Sequence, residues 1–315
     1  MANRFRPAVG VFFRGLWSGL KDLAEGIYRH DCLGLAAQIA YSFLFSLFPF
    51  LLFLRALVAY FPGASDIGNR LLQGLADLVT TDSRLYQIVE SSIFKEVNAA
   101  STTFLSIGIV LTLWSASGAV MTLIKAVNRA YGLEETRSWH RRRLMAAGIA
   151  VAGAVVIPIG VLVAVFGSWI GDLIGRNAGD GSVLHLLWTG LRWPVVVVLL
   201  FLLVGFFMHI APSKRQRWSG VLPGAVFTVA GIIGSSLGLS WFLTQSILQV
   251  RWLTYGAIGT AIVLLFWAFV SGLMILVGGE INGLVDKSIV ARQDRSSQAA
   301  AEGPSGGLVE SNGDE

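Results

Sequence analysis

Residues Leu144–Gly171 read LMAAGIAVAGAVVIPIGVLVAVFGSWIG, an unbroken run without one charged side chain. An α-helix rises about 1.5 Å per residue, so the run is long enough to cross the ~30 Å hydrocarbon core of a bilayer. A helix that is apolar all round belongs in lipid or in the centre of a large protein, not on a water-facing surface. The same length and composition recur at Gly34–Val58, Thr102–Leu123, Trp193–Ala211, Val221–Leu243 and Gly256–Leu284, and the first run extends to Ile174. The runs are continuous, whereas barrel strands alternate over about ten residues. The sequence therefore predicts an all-α polytopic membrane protein with six transmembrane helices. Pro49 and Pro158 fall inside two of the spans, where each removes one backbone donor and predicts a kink.

Composition points the same way. The chain has 315 residues, of which 54% are hydrophobic and 14% charged, against about 25% charged in a soluble domain. That excludes an ordinary water-soluble fold, and disorder over most of the chain. A single cysteine, Cys32, excludes an internal disulfide framework. The four histidines, His30, His140, His185 and His209, form no ligand-spaced cluster, so no metal and no cofactor is expected. The net charge of +5 reads as membrane topology, not as a nucleic-acid surface. On the six-span reading, 17 of the 24 Lys and Arg fall on one side. The positive-inside rule then places both termini of this multi-pass protein in the cytoplasm.

Outside the spans, residues 1–33 form a cytoplasmic N-terminus. Within it, Phe12, Phe13, Leu16, Trp17, Leu20, Leu23 and Ile27 recur at helical steps, opposite Arg14, Lys21, Glu25 and Arg29. This is an N-terminal amphipathic helix that either lies in the interface or packs on the bundle. Residues 34–285 form the membrane domain. They include an extracytoplasmic stretch at about 61–101 that reads as two short amphipathic helices. Residues 286–315 have the composition of a disordered cytoplasmic tail.

Polar residues within spans are costly unless they face protein or water, so they locate candidate sites. Gln38, Tyr41, Ser42 and Ser46 share a face of span 1, as do Ser115, Thr122 and Lys125 on span 2. Span 6 adds Glu280 and Asn282. Two readings are open for this set: a polar cavity between spans 1, 2 and 6, or hydrogen bonds that only join helices. Lys125 and Glu280 either snorkel to water or pair with each other. Gly224, Gly231 and Gly238 lie in span 5 among small residues spaced for close helix approach. Just beyond span 2, Asn128, Arg129, Glu134 and Arg137 form a cluster that either sets topology or meets a carboxylate or an anionic lipid headgroup. His140–Arg143 extend the basic run.

These segments resemble the YihY/virulence factor BrkB family, historically labelled ribonuclease BN-like. The stretches that carry the resemblance are Leu35–Pro49 (LAAQIAYSFLFSLFP), Leu113–Gly118 (LWSASG), Asn128–Gly132 (NRAYG) with Glu134–Arg137 (EETR), Leu222–Gly224 (LPG), Tyr255–Gly259 (YGAIG) and Gly278–Asn282 (GGEIN). The resemblance implies six membrane helices in a bacterial inner membrane and a role in envelope integrity.

A nuclease needs a metal-activated water or an acid–base pair. The 126–143 loop offers only Glu134 and Glu135, beside Thr136 and Arg137, so the sequence predicts a non-enzyme that binds no nucleic acid. Two functions remain. One is a protein that handles or transports a lipid or amphiphile through the polar cavity, with membrane lipids as partners. The other is a scaffold whose polar faces only hold helices together, as a homo-oligomer or with envelope proteins.

Overall fold

The computed structural model describes residues 6–60, 102–178, 183–214, 216–244 and 246–301. The pair of short helices expected within 61–101 lies outside the described residues. Those described fold into seven helices: α1 (Arg6–Arg29), α2 (Cys32–Tyr60), α3 (Thr102–Ala130), α4 (Trp139–Ala178), α5 (Val183–Ile210), α6 (Trp218–Leu243) and α7 (Ser246–Ala301). Each of α2–α7 contains a segment long and apolar enough to span a membrane, so the six-span reading stands.

Local chemistry explains several ends. Asp31 adopts φ 53° between α1 and α2. Its carboxylate accepts the Gly34 N–H (3.3 Å), the cap a helix start requires. Gly132 adopts φ 67° after α3. The Gly132 N–H bonds the Arg129 carbonyl and the Leu133 N–H bonds the Asn128 carbonyl, both at 2.9 Å. That doubly bonded, glycine-centred ending closes the helix and turns the chain. Pro49 and Pro158 lie inside α2 and α4, which run on through them.

One boundary departs from expectation. The tail predicted to be disordered from residue 286 instead continues α7 as far as Ala301. The stretch Ser296–Glu302 is rich in alanine and holds no breaker, and the first Gly-Pro pair comes only at Gly303–Pro304.

Each span packs on its chain neighbours, and α7 closes the circuit on α2, so the six spans form a ring. α3 also reaches α7, and α1 packs against both α2 and α7. Successive helices alternate in direction, so one end of the ring gathers the start of α2, the end of α3, the start of α4, the end of α5, the start of α6 and the second half of α7. That end also carries most of the arginines and is called here the basic end.

The buried apolar residues concentrate there. Leu35 and Ala36 come from α2, Ile124 and Val127 from α3, Ala146 from α4, Met208 from α5, Val221 and Ala225 from α6, and Leu276 from α7. Toward the other end the described side chains are largely uncovered, as at Phe48, Val110, Val155, Leu191, Trp241 and Phe266.

A polar knot at the basic end as the candidate functional site

The knot forms where three of the short motifs meet. α7 delivers Gly278–Asn282, α3 delivers Asn128–Gly132, and the first turns of α6 deliver Leu222–Gly224. Small residues permit the approach. A Cβ on Gly279 would lie 3.3 Å from the Ala130 Cβ, and one on Gly283 would lie 3.4 Å from the Tyr131 Cα. A Cβ on Gly224 would overlap the Gly278 carbonyl oxygen, and one on Gly278 would overlap Thr228 Oγ1. At Gly231 the obstacle is Met274 Sδ (2.6 Å), a flexible side chain. Gly238 faces open space and makes no such approach, although it shares the small-residue spacing.

Asn282, 1% exposed, joins three helices. Its Oδ1 accepts the Gly224 N–H (2.7 Å). Its Nδ2 donates to the Tyr131 hydroxyl (2.9 Å) and points at Met208 Sδ (3.6 Å). Burial pushes the Tyr131 phenol up to about 12, despite the opposing effect of the Asn282 contact.

Glu280, 4% exposed, lies two residues before Asn282, on the opposite side of α7, and faces the α1–α2 junction. His30 Nδ1 donates to its Oε1 at 2.5 Å, and the Cys32 thiol approaches the same oxygen at 3.6 Å. Gly26 of α1 clears the other oxygen, since a Cβ there would come within 2.6 Å of it. A buried carboxylate needs such partners, because desolvation of an unpaired one costs several kcal/mol.

The second half of the knot ties the α3–α4 loop to the end of α5. Asn128, 2% exposed, accepts the Ser213 N–H through Oδ1 (2.7 Å). Its Nδ2 donates to Glu135 (2.9 Å) and to the Ala211 carbonyl (3.3 Å). Arg137 donates through Nε to Glu135 (2.9 Å), and through its terminal nitrogens to the Ala211 carbonyl (2.5 Å) and the Ile210 carbonyl (3.5 Å). A guanidinium at a helix C-terminus satisfies orphan carbonyls and the negative end of the helix dipole together.

The sequence-predicted residues therefore divide. Glu280 and Asn282 belong to this buried knot, not to a cavity lining. Glu280 takes His30, so the proposed pairing with Lys125 is not made, and Lys125 is exposed. Glu134 and Arg129 are also exposed, and the carboxylate that holds Arg137 is Glu135. Glu134 contributes only its backbone carbonyl, which accepts the Ser213 hydroxyl (2.8 Å).

On the α2–α3 seam, Ser42 donates to Thr122 Oγ1 (3.2 Å) and Thr112 donates to the Pro49 carbonyl (2.8 Å). Thr122 in turn donates to the Gly118 carbonyl within α3. Ser46 bonds its own helix at the Phe43 carbonyl, and Ser115 is half-buried. Gln38 and Tyr41 are exposed beside the seam.

The sequence reading missed His30, Cys32, Tyr131 and Glu135 as site residues. Tyr131 and Glu135 lay within motifs already singled out, whereas nothing local marks His30 as the partner of a residue 250 positions away.

Comparison with known proteins follows from these motifs. The family described as Virulence factor BrkB matches residues 23–303. The chain belongs to that family. Among BrkB relatives, the “Putative ribonuclease-like protein YfkH” of Bacillus subtilis (strain 168) is 35% identical over 270 residues, covering 86% of this chain and 96% of that protein. The “UPF0761 membrane protein Mpe_A1422” of Methylibium petroleiphilum is 25% identical, covering 83% of this chain and 61% of that one. A UPF0761 membrane protein of Nitrosospira multiformis is 22% identical, covering 81% and 57%. The chain thus spans nearly all of YfkH and about three fifths of the other two. No solved structure matches it. As a BrkB-family chain with six apolar spans, it is a multi-pass membrane protein.

Proposed function

We propose that this protein lies in the bacterial cytoplasmic membrane with both termini inside, and that it supports envelope integrity by handling or transporting a lipid or amphiphile between its helices. The observation that carries the reading is the packing of the described residues: polar knot and apolar core together at the basic end, largely uncovered side chains among those described toward the other. A ring tied at one end can admit an acyl chain between helices at the other without breaking the contacts that hold it. The Ser42–Thr122 and Thr112–Pro49 bonds on the α2–α3 seam, with Gln38 and Tyr41 exposed beside them, supply polar footholds for a headgroup. The same direct bonds also fit the second reading, a scaffold whose polar faces join helices.

The role is non-enzymatic. The buried acids of the knot are already engaged, Glu280 by His30 and Glu135 by Arg137 and Asn128.

Transport is tested in proteoliposomes containing a fluorescent phospholipid and an impermeant quencher. The wild-type protein is expected to expose inner-leaflet lipid faster than protein-free vesicles. Equal rates overturn the transport reading.

Orientation is tested separately. Single cysteines at Ser65 and Ser311, in a Cys32→Ser background that retains the hydrogen-bond donor, are treated on intact cells with an impermeant thiol reagent. Position 65 should label and position 311 should not. Equal labelling of the two positions removes the assigned topology.

A further inference from the structure

The Leu113–Gly118 motif plays no part in the knot. It meets the start of α4, where Arg141, Arg142 and Arg143 follow one another. The Arg143 guanidinium lies 4.0 Å over the Trp114 ring. It donates to the Trp114 carbonyl (2.7 Å) and approaches Met121 Sδ (3.4 Å). Its Nη1 passes 3.6 Å from where a Cβ on Gly118 would be. The glycine leaves a channel for the side chain, and the tryptophan gives it a π-face. Trp114 is about 24 Å of helix rise from the end of α3 at Ala130, so the first turns of α4 meet α3 near its middle.

Every partner of this guanidinium among the described residues is neutral. The ion pairs formed among the described residues are Arg137–Glu135 and Lys214–Asp286, beside the His30–Glu280 contact, and none of these involves Arg141, Arg142 or Arg143. Arg142 Nε is buried with no hydrogen-bond partner among the described residues. Arginines along a membrane-embedded surface are expected to pair with a counter-charge, and planar guanidinium forks match phosphate oxygens. The apolar surround suits acyl chains: Trp114 is 62% exposed, Leu144 77% and Val110 65%.

We infer that the α3–α4 seam binds an anionic phospholipid, its phosphate held by Arg142 and Arg143 and its chains lying along the exposed faces beside Trp114. This site rests on the membrane reading of the helices, but lipid can bind here whether or not any lipid crosses, so the two proposals fail separately.

The test is native mass spectrometry of the full-length protein released from nanodiscs of equal phosphatidylglycerol and phosphatidylcholine. The wild type should retain phosphatidylglycerol preferentially. The Arg142→Gln/Arg143→Gln variant should lose that preference by about tenfold, the worth of a charge-assisted hydrogen bond or two. Trp114→Leu, which keeps both charges, should lose about threefold. A matched control removing two cations elsewhere, Lys21→Gln/Arg217→Gln, should leave the preference intact. If the Arg variant does not fold, photoactivatable phosphatidylglycerol on the wild type decides: cross-links should concentrate in 110–121 and 139–147. Equal retention of the two lipids by the wild type overturns the proposal. So does an equal loss in the control, or cross-links spread evenly over the helices.

Discussion

Gly224→Ala is expected to destabilise the protein by about 3 kcal/mol or more, because the new methyl would overlap a backbone oxygen that cannot rotate away. That oxygen belongs to Gly278 on α7, so α6 and α7 must separate where Asn282 also bonds the Gly224 N–H. The strain and the lost hydrogen bond fall on the same contact. Gly278→Ala should behave alike, since its methyl meets Thr228 Oγ1 and the Gly224 carbonyl. Gly238→Ala, with open space around it, should change stability by no more than about 0.5 kcal/mol. Thermal unfolding of the three purified variants in detergent decides the matter. A Gly224→Ala protein that melts with the wild type would mean that α6 and α7 are not locked at this contact.

Arg137→Lys and Arg129→Lys should separate just as clearly. Both keep the charge, so both should insert with normal topology. Lysine at 137 cannot reach Glu135 and the Ile210 and Ala211 carbonyls at once, because it presents a single point charge in place of a planar fork. The site is only 13% exposed on either side of the pair, so the stranded groups are poorly hydrated, and a loss of about 2 kcal/mol follows. Arg129 is exposed, and its replacement should lie within about 0.5 kcal/mol of the wild type. Melting temperatures check this, and equal effects at the two positions would count against Arg137 as the tie between the α3–α4 loop and α5.

The spans were legible because length and apolarity are local properties. Leu144–Ile174 announces itself without reference to any other residue, and the α4 helix that contains it is where it was expected. The knot was legible in part. Asn282, Glu280, Asn128 and Arg137 stood out because polar side chains in apolar surroundings require partners. Which partners they take was not legible, since that depends on how the ring closes. Glu280 could have met Lys125 from α3, and α1 instead brings His30 to it. The choice of Glu135 over Glu134 turns on a single residue in a loop whose path the glycine-centred end of α3 determines. Gly238 illustrates the opposite limit: spacing marks a helix face, but only the partner's position says whether that face is covered. The tail misled because its small polar residues suggested disorder, although nothing before Gly303 prevents α7 from continuing.

That continuation has a mechanical consequence. From Gly283 to Ala301 α7 runs on past the knot as an uninterrupted rod of about 27 Å. A rod converts rotation at its root into displacement at its tip, so a ten-degree tilt of α7 at Glu280 and Asn282 would swing Ala301 by about 5 Å. Any change of tilt at the knot is therefore magnified at the tip.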